Sequence, residues 1–404
     1  MRILFVVRPT SVHAARWVNQ IADQGWDIHL FPAHEGPTHS EFRNLTAYGL
    51  TSSRAQRRNP TIRSRVLWPL PLGADRLKIL AARFLPADWS SRAAWLARVI
   101  RRVKPDMIHA LEFQQAGYLT LQARALYEGQ FPPLVASNWG SDIYLYGPLN
   151  EHKAKITALL SGLDYYGCEC RRDVELARAY GFKGEALPVL PVAGGFRIEE
   201  MRRHRQSGPT SARRVIALKG YQHWAGRSLV GLRAIEQCAD EIKAGNYRVA
   251  VYLADMDVQI AAERMALTTG IPVEIVPPGS HDDMLRLHGR ARVSVGLSIS
   301  DGLSTSALEA MVMGSFPVQS DTSCLTEIVR DGETALMVPP EDPSAVAAAI
   351  RRAITDDALV DRAAEINARM AAEHLDYSVI QTQVVQMYAR IAAQIRAKKE
   401  AKNS

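Results

Sequence analysis

Asp301 and Glu309 are carboxylates eight positions apart, and the residues between them, Gly302-Leu303-Ser304-Thr305-Ser306-Ala307-Leu308, are small or apolar. An apolar run from Ala291 to Leu297 leads into this stretch, and Gly314 closes it before Phe316-Pro317-Val318. The pattern reads as strand, loop, helix, strand. A helix that starts on Gly, Ser and Thr leaves backbone N–H groups unpaired and carries partial positive charge, which suits a phosphate. Glu309, one turn inside, can accept hydrogen bonds from a vicinal diol such as ribose. Asp301, just before the helix, can do the same for a second sugar. One loop can thus hold ribose, diphosphate and sugar.

A D-x7-E pair alone would read as an ordinary βαβ unit with a polar cap. Here the context is longer and resembles the retaining GT-B glycosyltransferases of family 4 (glycosyl transferases group 1), whose signature is Glu-x7-Glu followed by Ala-Met and Gly-x-Pro-Val. Glu309, Ala310, Met311, Gly314, Pro317 and Val318 match, as does Glu327-Ile328-Val329-Arg330-Asp331-Gly332 ending at Val338-Pro339-Pro340. Asp301 stands where the first Glu is expected, one methylene shorter. The resemblance spans nearly the whole chain and is strong from about residue 215 to 345. It implies an α/β, GT-B fold of two Rossmann-like doubly wound parallel-sheet domains facing a central cleft. It also implies transfer of a sugar from a nucleotide-sugar donor to a hydroxyl acceptor (a glycan, a lipid-linked or a small molecule), with retention and without a metal. No cofactor is implied, since the nucleotide sugar is a substrate, and no DxD-type metal motif is evident.

Such transfer must stabilise a departing diphosphate, and cations with backbone donors can do so. Lys219 and Arg227, in Leu218-Lys219-Gly220-Tyr221-Gln222-His223-Trp224-Ala225-Gly226-Arg227, follow the first strand of the second half. With Asp301 and Glu309 they form the expected catalytic set; the alternative is two solvated surface cations. Gly302, Leu303, Ser304 and Thr305 are expected donor contacts. Pro278 and Gly279, in Val276-Pro277-Pro278-Gly279-Ser280-His281-Asp282-Asp283, either cradle the base or belong to a plain helix start capped by Ser280 or Asp282. On the acceptor side the candidates are Ser11, His13, Arg16, His109, Trp139 and Asp142. The first three lie in a loop that replaces the Gly-Gly many relatives carry. His109 matches a frequent family histidine. Trp139 stands where relatives often have His; indole is no general base, so stacking on a sugar face replaces that role, with Asp142 on hydroxyls.

Composition bounds the rest. Hydrophobic content of 47% and charge of 23% are those of a globular chain, and no apolar run reaches the ~18 residues a bilayer span needs. Four cysteines show no CxxC or zinc spacing, in keeping with a cytoplasmic, reducing location. The net charge of +7 favours anionic partners. Arg54, Arg57, Arg58, Arg63 and Arg65 adjoin Val66-Leu67-Trp68-Pro69-Leu70-Pro71-Leu72 and a helix holding Trp89 and Trp95. This is the composition either of a peripheral contact with the inner membrane face or of a solvated insertion. Nucleic acid is not expected, because no aromatics interleave with the basic clusters in an RNA-type motif.

The elements that must position these groups alternate strand and helix twice. Strands are expected at Arg2–Val7, Asp27–Phe31, Asp106–Ala110, Leu134–Ser137 and Asp164–Gly167, then Val215–Leu218, Arg248–Leu253, Val273–Val276 and Arg292–Leu297. A helix is expected from about Val12 to Gln24. The domains follow: 1–195 for the acceptor, 196–214 as a polar, arginine-rich linker, 215–374 for the nucleotide sugar, and 375–404 as a helix that the resemblance implies packs back on the first domain. Two other functions fit the same features: a GT-B sugar-nucleotide epimerase, and a non-catalytic sugar-nucleotide-binding protein.

Overall fold

Ile3–Val7 and Val215–Leu218 carry consecutive apolar residues instead of alternating ones, so their strands must be buried on both faces. That requirement is met by helices on each side of parallel sheets. The computed structural model describes residues 1–49, 59–66 and 91–403. It divides into two compact units, Met1–Gly194 with Ile380–Ser404, and Gly195–Val379.

The first unit holds β1 (Arg2–Val7), β2 (Asp27–Pro32), β3 (Leu45–Gly49), β4 (Ile62–Val66), β5 (Met107–Leu111), β6 (Leu134–Ser137), β7 (Tyr165–Gly167) and β8 (Glu185–Ala186). They form one sheet in the order β4-β3-β2-β1-β5-β6-β7-β8, every pair parallel, with Ile3 opposite both Ile28 and Met107. The first helix is Val12–Asn19, shorter than expected, capped by Ser11 Oγ accepting from Ala14 N–H. β3 and β4 lie inside what reads as a basic insertion. In β4 Ile62 is buried, while Arg63 and Arg65 are exposed; charge on a sheet edge discourages further strand pairing. Arg54, Arg57, Arg58, the 67–72 run and Trp89 lie outside the described residues. Among the described residues no helix is long and apolar enough to cross a membrane.

The terminal helix, Tyr377–Asn403, sends Ile380, Val384, Met387, Tyr388, Ile391 and Ile395 into the core formed by Phe5, Ile28, Leu30, Met107 and Val135. The buried Tyr388 hydroxyl joins it to the sheet: it accepts from Trp17 Nε1 at 3.0 Å and donates to His109 Nδ1 at 2.6 Å.

The second unit holds β9 (Val215–Lys219), β10 (Arg248–Tyr252), β11 (Val273–Val276), β12 (Val293–Gly296), β13 (Phe316–Ser320) and β14 (Leu336–Val338), ordered β11-β10-β9-β12-β13-β14 and parallel throughout. Residues 196–214, expected as a linker, are instead built into this unit. Met201, Thr210 and Arg213 are buried, and Ile198–Arg202 is helical. The arginines read as solvated because sequence shows their charge and not the carbonyls they meet: Arg213 Nη1 donates to Ala291 O and Met313 O, each at 3.1 Å.

Tyr388→Phe removes one hydroxyl and leaves two buried ring nitrogens without their partner, so it should lower the stability of the first unit by about 1–3 kcal/mol. Urea unfolding should show a lower midpoint with an unchanged slope.

Candidate functional site

Strand order in the second sheet reverses between β9 and β12. Connections from these neighbours depart to opposite sides and leave a crevice at their carboxyl ends, the favoured ligand position in such sheets. Lys219 ends β9, and the Asp301 loop follows β12. The two loops are stitched together: Gly226 bridges Ser298, Arg227 N–H donates to Leu297 O at 3.0 Å, and Ile299 N–H donates to Ala225 O at 2.9 Å. Gly226 is required there, because a Cβ would come within 2.3 Å of Tyr221 O.

The signature helix runs Thr305–Val312. Ser11 and Ser280 cap their helices with side-chain oxygens, yet Ser304 makes no such bond; its Oγ lies 3.2 Å from Ser306 Oγ. Ser304 thus gives the first turn no side-chain cap of its own. Gly302, Leu303 and Ser304 are buried and Thr305 is half-buried. Glu309 is 7% exposed and its Oε1 lies 2.7 Å from His281 Nε2.

His281 opens the helix His281–Arg290, which Ser280 and Asp283 start with a reciprocal capping box. The plain-cap alternative for the 276–283 run is therefore present, while Pro278 and Gly279 remain exposed beside it. Sequence reading missed His281 as the partner of Glu309, since no local pattern links residues separated by 28 positions.

Asp301 sits among groups it polarises. Burial raises the Tyr221 phenol, and Asp301 and Asp255 raise it further. Burial lowers His223, helped by Lys219 and Arg227 and opposed by Asp255 and Asp301. Lys219 Nζ lies 4.5 Å from the centre of the Tyr221 ring. Arg227 is committed elsewhere: its Nε lies 2.8 Å from Glu341 Oε1, and its Nη1 donates to Ala225 O and Gly226 O. Glu341 was not among the expected residues.

The acceptor candidates lie in the first unit. Ser11 is the helix cap described above, and Arg16 pairs with Glu41 at 3.6 Å. The His13 ring stands edge-on to half-buried Trp139, centroids 6.1 Å apart. His109 is a correction. It is fully buried, with Nδ1 on Tyr388 and Nε2 on Ser137 Oγ at 2.8 Å, and burial lowers it to about 3. It is a neutral core residue, not an acceptor contact. Asp142 departs from expectation too, because it is buried and accepts from Phe113 N–H and Trp139 N–H. Burial, with the Glu112 carboxylate beside it, pushes Asp142 up to about 8.

Between 3.8 and about 8 the folded chain therefore keeps a proton that an unfolded Asp142 has released. Stability should fall as pH rises through that window, by at most about 1.4 kcal/mol per pH unit. Asp142→Asn should flatten this slope in denaturation curves taken across the window.

The description "Glycosyl transferases group 1" matches residues 255–370, and "Glycosyl transferase 4-like" matches residues 73–165. The D-inositol 3-phosphate glycosyltransferase of Nocardioides sp. is 33% identical over 128 residues, covering 32% of this chain and 28% of the relative. The phosphatidyl-myo-inositol mannosyltransferase of Mycobacterium leprae is 33% identical over 85 residues, covering 21% and 22%. The matched stretch thus spans less than a third of these relatives' lengths. Among solved structures, sucrose-phosphate synthase from Thermosynechococcus elongatus superposes with a TM-score of 0.68 at 15% identity, covering 98% of this chain and 100% of that one. Anabaena HepE in complex with UDP-glucose superposes with a TM-score of 0.67 at 12% identity, covering 96% and 100%. Those likenesses show the GT-B fold, and within it residues 255–370 match the group 1 glycosyl transferases.

Proposed function

We propose that the chain moves a sugar from a nucleotide-sugar donor to a hydroxyl acceptor, with retention and without a metal. The observation that carries this reading is the second unit's helix tip at a sheet switch point, not capped by the Ser304 side chain, with Asp301 before it, Glu309 behind it and Lys219 on the neighbouring strand end. Glu309, held by His281, takes the ribose diol. The N–H groups after Gly302 and Leu303, together with Lys219, take the diphosphate. Asp301 takes hydroxyls of the transferred sugar, and Pro278 and Gly279 flank the base. Arg227 joins the diphosphate when Glu341 releases it.

Electrostatic stabilisation of the departing diphosphate needs only these cations and N–H groups. Support for the donor class comes from HepE, whose structure was solved with UDP-glucose. Retention rests on the family resemblance, where a donor phosphate oxygen accepts the acceptor's proton. The acceptor is assigned to the carboxyl edge of the first sheet, beside His13 and Trp139. Peripheral membrane contact is proposed only for a lipid-linked acceptor, and polysaccharide assembly is the natural setting for the reaction.

A thermal-shift panel of UDP-, GDP-, ADP- and TDP-sugars should yield one stabilising base; at one hundred times Kd the gain is about 2.7 kcal/mol. Glu309→Ala should abolish that shift. Lys219→Ala and Asp301→Ala should each lower kcat/KM at least ~10-fold, as expected from losing a charge-assisted hydrogen bond, and EDTA should change nothing. Normal turnover in Glu309→Ala sinks the site, and epimerised sugar nucleotide from donor alone sinks the transferase.

A further inference from the structure

At the amino-terminal edge of the first sheet, away from the strand ends assigned above, lies a cavity of about 800 Å³. Its size is that of small-molecule sites, about 300–1,000 Å³. It opens where β5, β6 and β7 begin, and the last turns of the terminal helix close one side with Ile395 and Lys398. Its floor is aromatic: Tyr127 and Phe131 meet edge to face at 5.4 Å, and Tyr165 is fixed by its hydroxyl donating to Gln394 at 2.8 Å. Pro105, Pro132 and Pro133 line the rim and have no N–H to offer.

The charges are unbalanced. Both lining carboxylates are committed: Asp106 accepts from Arg2 N–H and from Lys399, and Asp164 from Leu134 N–H. Arg124 donates to Gly162 O and lies over the Phe131 ring. Lys104 and Lys398 form no ion pair among the described residues. The lining carries Lys104, Arg124, Lys398 and Lys399 against Asp106 and Asp164, and a net positive wall beside aromatic rings asks for an anion attached to a flat apolar body.

We propose that this cavity is a second ligand site that binds a phosphate monoester carrying a flat ring, independent of the donor site. The phosphate sits between Lys104 and Lys398, and the ring rests on Tyr127 and Phe131.

The test uses 1-naphthyl phosphate, followed by calorimetry on the full chain. The wild type should bind it at least ~10-fold more tightly than inorganic phosphate, because the ring adds its own contacts. Lys104→Asn with Lys398→Ala should weaken it at least ~10-fold; both side chains are exposed, and Asn tolerates the left-handed backbone of Lys104, with φ of 48°. Glu309→Ala should bind it as the wild type does, whichever way the donor experiment comes out. The proposal is overturned by absent binding, by equal affinity for inorganic phosphate, by affinity unchanged in the double variant, or by loss in Glu309→Ala. Vesicles containing phosphatidic acid form the last arm: capture by vesicles without binding of the soluble ester would assign the lysines to a lipid headgroup and overturn the cavity.

Discussion

The signature helix is satisfied at one end and open at the other, and the candidate site depends on that difference. At its carboxyl end the Arg213 guanidinium, 1% exposed, donates to Met313 O, Thr210 Oγ1 donates to Gly314 O, and Arg205 packs where a Gly314 Cβ would stand. Cations there complement the negative end of the helix dipole. Gly314 has φ of 76°, which glycine adopts without strain, so the chain turns directly into β13. These contacts fix the carboxyl end of the helix against β13 and the 205–213 segment.

Parallel pairing makes that tip useful. In the second sheet β9 and β12 are neighbours whose following helices depart to opposite faces, so neither covers their shared carboxyl edge. The loops from both strands meet over this edge and hydrogen-bond each other, which sets Lys219 and Asp301 on one surface. A neutral sugar bearing a diphosphate needs both.

Much of the fold was legible because strands buried on both faces announce themselves as apolar runs, and turns announce themselves as glycines. β1, β5, β6 and β9 fall where those runs predict them, within a residue or two, and so do β11, half-buried at the sheet edge, and β12, which Ser294 interrupts. β4 did not stand out, because an edge strand needs few inward side chains, here Ile62, and its arginines resemble a loop; β3 is interior, but Thr46 and Gly49 leave it no long apolar run. Residues 196–214 misled for a related reason: charge reads as solvation until the carbonyls that satisfy it are known. At the site, Asp301, Glu309 and the small residues between them were legible because their spacing is local. His281 and Glu341 were not, since each meets its partner only through the crossing of distant elements. His109 and Asp142 show the converse, residues of the right type at strand ends that packing had already claimed.

The pairings seen around the tip are what electrostatics requires of such a surface before a ligand arrives. Glu309 is nearly buried, and an unpartnered buried carboxylate is costly, so a donor such as His281 must face it. Arg227 is similarly held by Glu341, whose side chain is 66% exposed. The two cases differ in what a ligand would have to break. An exposed ion pair contributes at most about 1 kcal/mol, so a diphosphate can draw Arg227 away from Glu341 at little cost. The His281–Glu309 contact is shielded on the glutamate side and costs more to lose. A diol would therefore add to that contact instead of replacing it, leaving Glu309 fixed in orientation while Arg227 supplies the adjustable charge.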